Sequence, residues 1–215
     1  MTKEELIGEL VHDGYLKTPS IIDAFTYVDR VDFISEDMKR YTYTNEPLPI
    51  GFDQTISQPL TVAFMLELLS PKIGDVILDI GVGSGWQTAL LAFIISREYG
   101  EEEHTPSVFG VERIHELFES ARQNVEKYHY ISRNIVLLKE GDGTTGFLEH
   151  APYDKIIAAA AAPTIPQAWK DQLKIGGRIV APVDESIVVL DKKGTMDFEE
   201  KRYFGFHFVP LISVN

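Results

Sequence analysis

The chain has 215 residues, of which 44% are hydrophobic and 25% charged, a composition that builds a sizeable core and excludes a disordered chain. Its 20 basic and 33 acidic residues leave a net charge of -13, which opposes binding to phosphate backbones, so no nucleic-acid partner is expected. With no cysteine, disulfides, thiolate nucleophiles and Cys-based zinc sites are excluded together. No apolar run nears the ~20 residues of a membrane span, and MTKEELIGEL is acidic where a signal peptide would be basic. A cytoplasmic protein without membrane contact or bound metal is the expectation.

Leu6, Ile7, Leu10 and Val11, then Ile21, Ile22, Phe25 and Val28, recur at helical spacing and predict two amphipathic helices. Periodicity fades over 35–59, where Tyr41, Tyr43, Pro47, Pro49, Gly51 and Pro59 mark turns. A connection of that length is uncommon without a function. Residues 1–59 therefore read as a helical and loop extension, and 60–215 as a core, together one compact domain.

From Leu60 onward helix and strand alternate. Val62, Met65, Leu66 and Leu69 form a helical face ending before Pro71. Short apolar runs at 76–80, 108–111, 135–138 and 155–159 read as buried strands, with helices at 86–95, 114–125 and 165–173 between or after them. Gly177 opens a further strand, RIVAPV, and 187–190 with 203–209 read as an antiparallel pair around a Lys-Lys-Gly turn. Fully apolar strands alternating with helices imply an α/β fold, its sheet mostly parallel and covered on both faces.

The densest local signal is VILDIGVGSGWQTALLAFII, a strand running through Asp79 into Gly81, Gly83 and Gly85 and then a helix. Such glycines permit a tight turn and close approach of a ligand, or serve only as a strand–helix connection. Position 86 is Trp, and the spacing is not that of the dinucleotide fingerprint. A pyrophosphate fits poorly, and a nucleoside without phosphate such as S-adenosyl-L-methionine fits better. VFGVER sets Glu112 at the next strand end, as an acceptor for ribose hydroxyls or a solvated acid at a helix start. KEGDGTTG sets Asp142 and Gly143 after the third strand, as an acceptor for an adenine amino group or a plain turn. Three such features at consecutive strand ends converge on one crevice. After the fourth strand, IIAAAAAPTIP supplies small apolar residues and no base, which favours an acceptor already nucleophilic at neutral pH, such as a carboxylate.

The stretches NEPLPIG (45–51) and QTISQP (54–59) resemble the N-terminal motif of protein-L-isoaspartate (D-aspartate) O-methyltransferases. So do LDIGVGSGWQTA, VFGVERIHEL, GDGTTG, APYDKIIAAAAAP, QLKIGGRIVAPV and the terminal FVPL, in order between about Asp29 and Leu211. The resemblance implies a Rossmann-like class I S-adenosylmethionine-dependent methyltransferase fold with an N-terminal helical extension. It implies methyl transfer from S-adenosyl-L-methionine to the free α-carboxylate of L-isoaspartyl residues in damaged proteins and peptides, with D-aspartyl residues left open. The ester then collapses to a succinimide that partly reopens to aspartate. It also implies Ser57 as the catalytic, substrate-facing serine, Thr55 and Ile56 beside the cofactor, Val209 on the substrate side, and a monomer.

Asp79, Gly81, Gly83, Gly85, Glu112, Asp142 and Gly143 complete the expected cofactor set. Ser57 has a second reading, as the N-cap of a helix opening at Pro59. FVPL either clamps an extended peptide or packs on the sheet. As a clamp, its removal should abolish peptide methylation yet spare cofactor binding. The chain departs from the family's pattern at Phe33-Ile34-Ser35, at 42–45, at Leu60 and in a longer loop over 97–107, which bears on peptide preference more than on reaction type. Two alternatives stand beside this reading: a related methyltransferase acting on a small-molecule carboxylate, and a cofactor-binding homologue without activity.

Overall fold

A computed structural model describes residues 1–98, 100 and 104–213. The two predicted amphipathic helices form as α1 (Lys3–His12) and α2 (Pro19–Tyr27). Thr2 and Glu5 start α1 with a reciprocal capping box, and Pro19 starts α2 where a missing N–H costs nothing. The segment after them contains two 3-10 turns and a hairpin, β1 (Leu48–Gly51) and β2 (Gln54–Ile56), which leads directly into α3 (Pro59–Leu69).

The apolar runs become β3 (Ile77–Ile80), β4 (Val108–Glu112), β5 (Val136–Glu140), β6 (Tyr153–Ala158) and β7 (Leu173–Val183). Helices α4 (Trp86–Ser96), α5 (His115–Glu126) and α6 (Gln167–Gln172) lie between them, and β8 (Ser186–Lys192) and β9 (Phe198–Phe204) close the fold. Their order across one seven-stranded sheet is β5-β4-β3-β6-β7-β8-β9, parallel through β7 and then an antiparallel meander. The chain runs outward from β3 to β5 and then returns to the other side of β3 as β6. That reversal opens a crevice beyond the carboxyl end of β3.

Successive strand residues face opposite sides, so Ile77, Val108, Ile157 and Val180 join one apolar cluster while Leu78, Phe109, Ile156 and Ile179 join the other. The first cluster also takes Leu6, Leu10, Phe25, Leu66 and Leu90, so α1 and α2 share a core with the helices that follow the hairpin. Phe25 meets Trp86 edge to face with ring centroids 5.4 Å apart.

Several expected boundaries shift. Helix α6 is shorter than expected because Pro166 precedes it and Leu173 already belongs to β7. The last strand covers 198–204 rather than 203–209, because the chain turns at Gly205 (φ 94°) and leaves the sheet. Of the long loop at 97–107, Tyr99 and residues 101–103 lie outside the described residues.

Packing around the glycine turn is tight at one position. Gly85 has φ 90°, and a Cβ there would stand 2.9 Å from Val125 Cγ2 and 3.2 Å from the Ala121 carbonyl oxygen on α5. Gly85→Ala is therefore expected to destabilise the fold by about 2–3 kcal/mol, combining left-handed strain with overpacking. Denaturant unfolding checks this, and an unchanged midpoint would show that α5 yields to the methyl group.

Candidate active site

The glycine turn after β3 is braced by two carboxylates. Asp79 is fully buried, and its carboxylate accepts hydrogen bonds from Gln87 Nε2 at 2.7 Å and Thr88 Oγ1 at 2.6 Å, both in the first turn of α4. Burial pushes its carboxyl up to about 6; the two hydrogen bonds oppose that rise and the nearby Glu112 charge adds to it. Glu112, 6% exposed at the end of β4, accepts from the Gly83 N–H at 2.9 Å and the Ile114 N–H at 3.0 Å. Two carboxylates at strand ends thus do different work. Asp79 holds α4 from below, whereas Glu112 faces the crevice.

The crevice is a cleft of about 550 Å³ including its open mouth. Gly81, Gly83, Glu112, Gly143 and Ala159 line it from the ends of four strands. Gly143 is held there closely: a Cβ would lie 2.7 Å from Ile80 Cγ2, and Trp169 Nε1 donates to its carbonyl at 2.8 Å. Asp142 accepts from the Thr144 N–H at 2.8 Å and the Thr144 hydroxyl at 2.7 Å, capping the 3-10 turn Gly143–Thr145. Ile56, Asp79, Gly85 and Asp142 were expected at the cofactor, yet they are absent from this cavity's lining, and Ile56 lines the adjoining gap instead. Asp79 and Gly85 brace and pack the loop, and Asp142 shapes the turn that carries Gly143. The Gly83 N–H, which would otherwise attract an anion, already faces the Glu112 carboxylate. A phosphate fits poorly at that point, and a phosphate-free nucleoside fits.

A second space of about 1010 Å³ adjoins the first, lined by Ser57, Gln58, Thr61, Ala159, Phe206 and Val209 among others. A narrower gap joins them past Ile56, Ser57, Gly81 and Trp86, and Thr55 and Ala159 line all three spaces. His207 is the one titratable residue in the second lining among the described residues. Phe206 stacks on Phe64 of α3, with centroids 5.3 Å apart and planes 8° apart, which seats the 205–209 segment as one wall.

Ser57 does not cap α3. Gln58 occupies the N-cap position, and Asn45 Oδ1 instead accepts the Leu60 N–H at 3.0 Å. The Ser57 residue lines the second space and the gap. The expectation for FVPL also needs correction. The Ala161 N–H donates to Val209 O at 2.8 Å, the Leu211 N–H donates to Ala161 O at 2.7 Å, and Val209, Pro210 and Leu211 line the first cavity as well. Removing the segment would take wall residues from both spaces, so weaker cofactor binding is expected along with loss of methylation. Sequence reasoning missed Asn45 as a cap, and Ile50, which closes over the glycine turn with its Cδ1 3.3 Å from where a Gly83 Cβ would stand. Neither shows in local periodicity, since each acts on a distant segment.

The family profile for protein-L-isoaspartate(D-aspartate) O-methyltransferase (PCMT) matches residues 1–215. A protein-L-isoaspartate O-methyltransferase of Staphylothermus marinus is 39% identical over 214 residues, covering 98% of this chain and 93% of that protein. One from Ignicoccus hospitalis is 41% identical over 214 residues, covering 98% and 97%. Among solved structures, a Plasmodium falciparum protein described as a candidate of the same kind, in complex with S-adenosyl-L-homocysteine, superposes with a TM-score of 0.86 over 100% of both chains. At 22% identity that likeness speaks to the fold alone.

The raised Asp79 carboxyl carries a pH dependence of known sign. Folded protein holds this proton more tightly than unfolded chain, so between pH 3.8 and about 6 the group lowers stability as pH rises. Asp79→Asn removes that slope, and near neutral pH the variant is expected to gain on the wild type by roughly 2–3 kcal/mol relative to pH 4. Thermal unfolding of both proteins at pH 4 and pH 7 measures it; a difference that does not change with pH would place the Asp79 proton outside this range.

Proposed function

The chain belongs to the protein-L-isoaspartate(D-aspartate) O-methyltransferase family, and from that premise we propose how its cavities divide the work of the reaction. The enzyme methylates the free α-carboxylate of L-isoaspartyl residues in damaged proteins and peptides, which initiates repair through a succinimide. One observation carries the division: the phosphate-averse cavity at the glycine turn and the broad groove beside it meet at Thr55, Ala159 and Val209. A cofactor and a peptide can therefore each occupy one space with their reactive ends at a shared neck.

S-adenosyl-L-methionine, when bound, supplies an electrophilic methyl group. Gly81, Gly83, Glu112 and Gly143 would hold it, with Glu112 placed to accept hydrogen bonds from a ribose, and Thr55 and Ile56 would close over it. Among the described residues the neck offers no base, and none is needed, because a carboxylate with an ordinary pKa near ~3.9 is already ionised at neutral pH. Ser57 then acts by donating a hydrogen bond that aims one carboxylate oxygen. Its hydroxyl has no hydrogen-bond partner among the described residues, so it is available for that purpose. Ala159 lets the acceptor approach closely, and Val209 with Phe206 excludes water from one side.

Residues 1–59 supply the hairpin and Ser57, and 60–215 supply the strand ends, so we treat the first as a substrate-side extension on a methyltransferase core. The same reading takes the enzyme as a cytoplasmic monomer. No described helix is long and apolar enough to cross a membrane.

The test is transfer of labelled methyl to an isoaspartyl peptide and to its normal aspartyl twin. Transfer to the first alone is expected, and equal or absent transfer would remove the substrate assignment. In the same assay Ser57→Ala should lower turnover roughly tenfold to hundredfold, the worth of one hydrogen bond to a charged group. Cofactor affinity and thermal stability should stay near wild type, since Ser57 caps no helix. Wild-type turnover in that variant would remove its assigned role.

A further inference from the structure

Arg30 opens a 3-10 turn, Arg30–Phe33, just beyond α2 and is only 2% exposed. Its Nη1 donates to the carbonyl oxygens of Thr42 at 2.6 Å and Thr44 at 3.3 Å, and its Nη2 to those of Glu46 at 3.0 Å and Ser57 at 3.1 Å. Its guanidinium carbon lies 5.4 Å from the ring centroid of Trp86, the first residue of α4. Nε is buried without a hydrogen-bond partner. Desolvation alone pulls its pKa down to about 10, with no carboxylate offsetting it, and the group still stays charged at neutral pH.

A buried cation without a counter-ion is costly to keep, and an apolar side chain would fill the same place without that cost. What the guanidinium adds is geometry. It gathers carbonyls from two segments, 42–46 and Ser57, which Asn45 also links through Gln58 Nε2 and the Leu60 N–H, and it rests against Trp86. Ser57 and Trp86 both line the gap between the cofactor cavity and the acceptor groove. With its carbonyl drawn toward Arg30, the Ser57 residue is fixed in orientation beside the place where an anion must dock.

We propose that Arg30 is the positioning residue of the acceptor side: it sets Ser57 against the gap through its carbonyl, and its buried charge favours a carboxylate acceptor there. This inference rests on the methyl-transfer reading above. Because the charge is shielded from solvent, its effect on the acceptor is only weakly screened by salt. Lysine cannot replace it fully, since three donors on one nitrogen do not span four carbonyls, though it restores the charge.

The experiment compares Arg30→Met and Arg30→Lys with Leu10→Ala, a core truncation in α1 that serves as a stability control. Turnover and KM for an isoaspartyl peptide are measured at low temperature and corrected for folded fraction by circular dichroism, and S-adenosyl-L-homocysteine affinity is measured by calorimetry. Arg30→Met is expected to lower kcat roughly tenfold to hundredfold and to raise the peptide KM, with affinity for S-adenosyl-L-homocysteine within about threefold of wild type. Arg30→Lys should recover part of both losses, and Leu10→Ala should show neither. The proposal is overturned if corrected kcat and KM match wild type in both Arg30 variants, if Leu10→Ala loses as much, or if neither Arg30 variant folds even with S-adenosyl-L-homocysteine present. Failure of the wild type to methylate the peptide would sink the functional reading alone. In that event hydrogen exchange decides: amides of 42–46 and 57–58 must exchange faster together in Arg30→Met than in Leu10→Ala, and the absence of that difference overturns the proposal.

Discussion

The hydrogen bond from the Gly83 N–H to Glu112 joins the turn after β3 to the end of β4, and the rest of the site is arranged around it. The turn would otherwise present free N–H groups at the start of α4, a setting that attracts phosphate. A carboxylate in that place reverses the preference and leaves a cavity for an uncharged or cationic ligand. Asp79 makes the arrangement rigid from beneath, through Gln87 and Thr88. The stability cost of keeping Asp79 ionised in the core is the counterpart of that rigidity.

Around this fixed turn, the acceptor groove is assembled from opposite ends of the chain. The β1–β2 hairpin and Ser57 come from the first sixty residues, and the 205–209 wall comes from the last dozen. Each is anchored to a distant part of the chain. Asn45 ties the hairpin to α3 through the Leu60 N–H, Phe206 stacks on Phe64, and Ala161 pairs with Val209 and Leu211 at the end of β6. The groove therefore comes into being only when sheet, helix and both ends have docked. Because Val209 and Pro210 also wall the cofactor cavity, cofactor and acceptor sites share one boundary.

Charge is distributed to suit an anionic acceptor in an acidic protein. The chain carries -13 overall, yet the groove lining contains no Asp or Glu among the described residues. The nearest fixed cation to Ser57 in the hydrogen-bond network is buried Arg30, whose field is little screened.

Much of this protein was legible in its sequence. Apolar runs such as ILDI and VFGV marked the parallel strands, the glycine spacing marked the turn, and Glu112 and Gly143, singled out at strand ends, line the crevice. Those readings succeed because helix and strand periods, turn chemistry and strand-end positions follow from near neighbours in the chain. Asp79 and Glu112 look alike at two strand ends, but only tertiary packing decided that one braces α4 and the other faces the cavity. Ser57 was open to reading as a helix cap, but Asn45 accepts the Leu60 N–H instead, and no local pattern marks Arg30, on which four carbonyls close. A buried polar group takes its role from whatever faces it across the fold, and those partners lie 12 to 27 residues from Arg30, beyond the reach of local pattern.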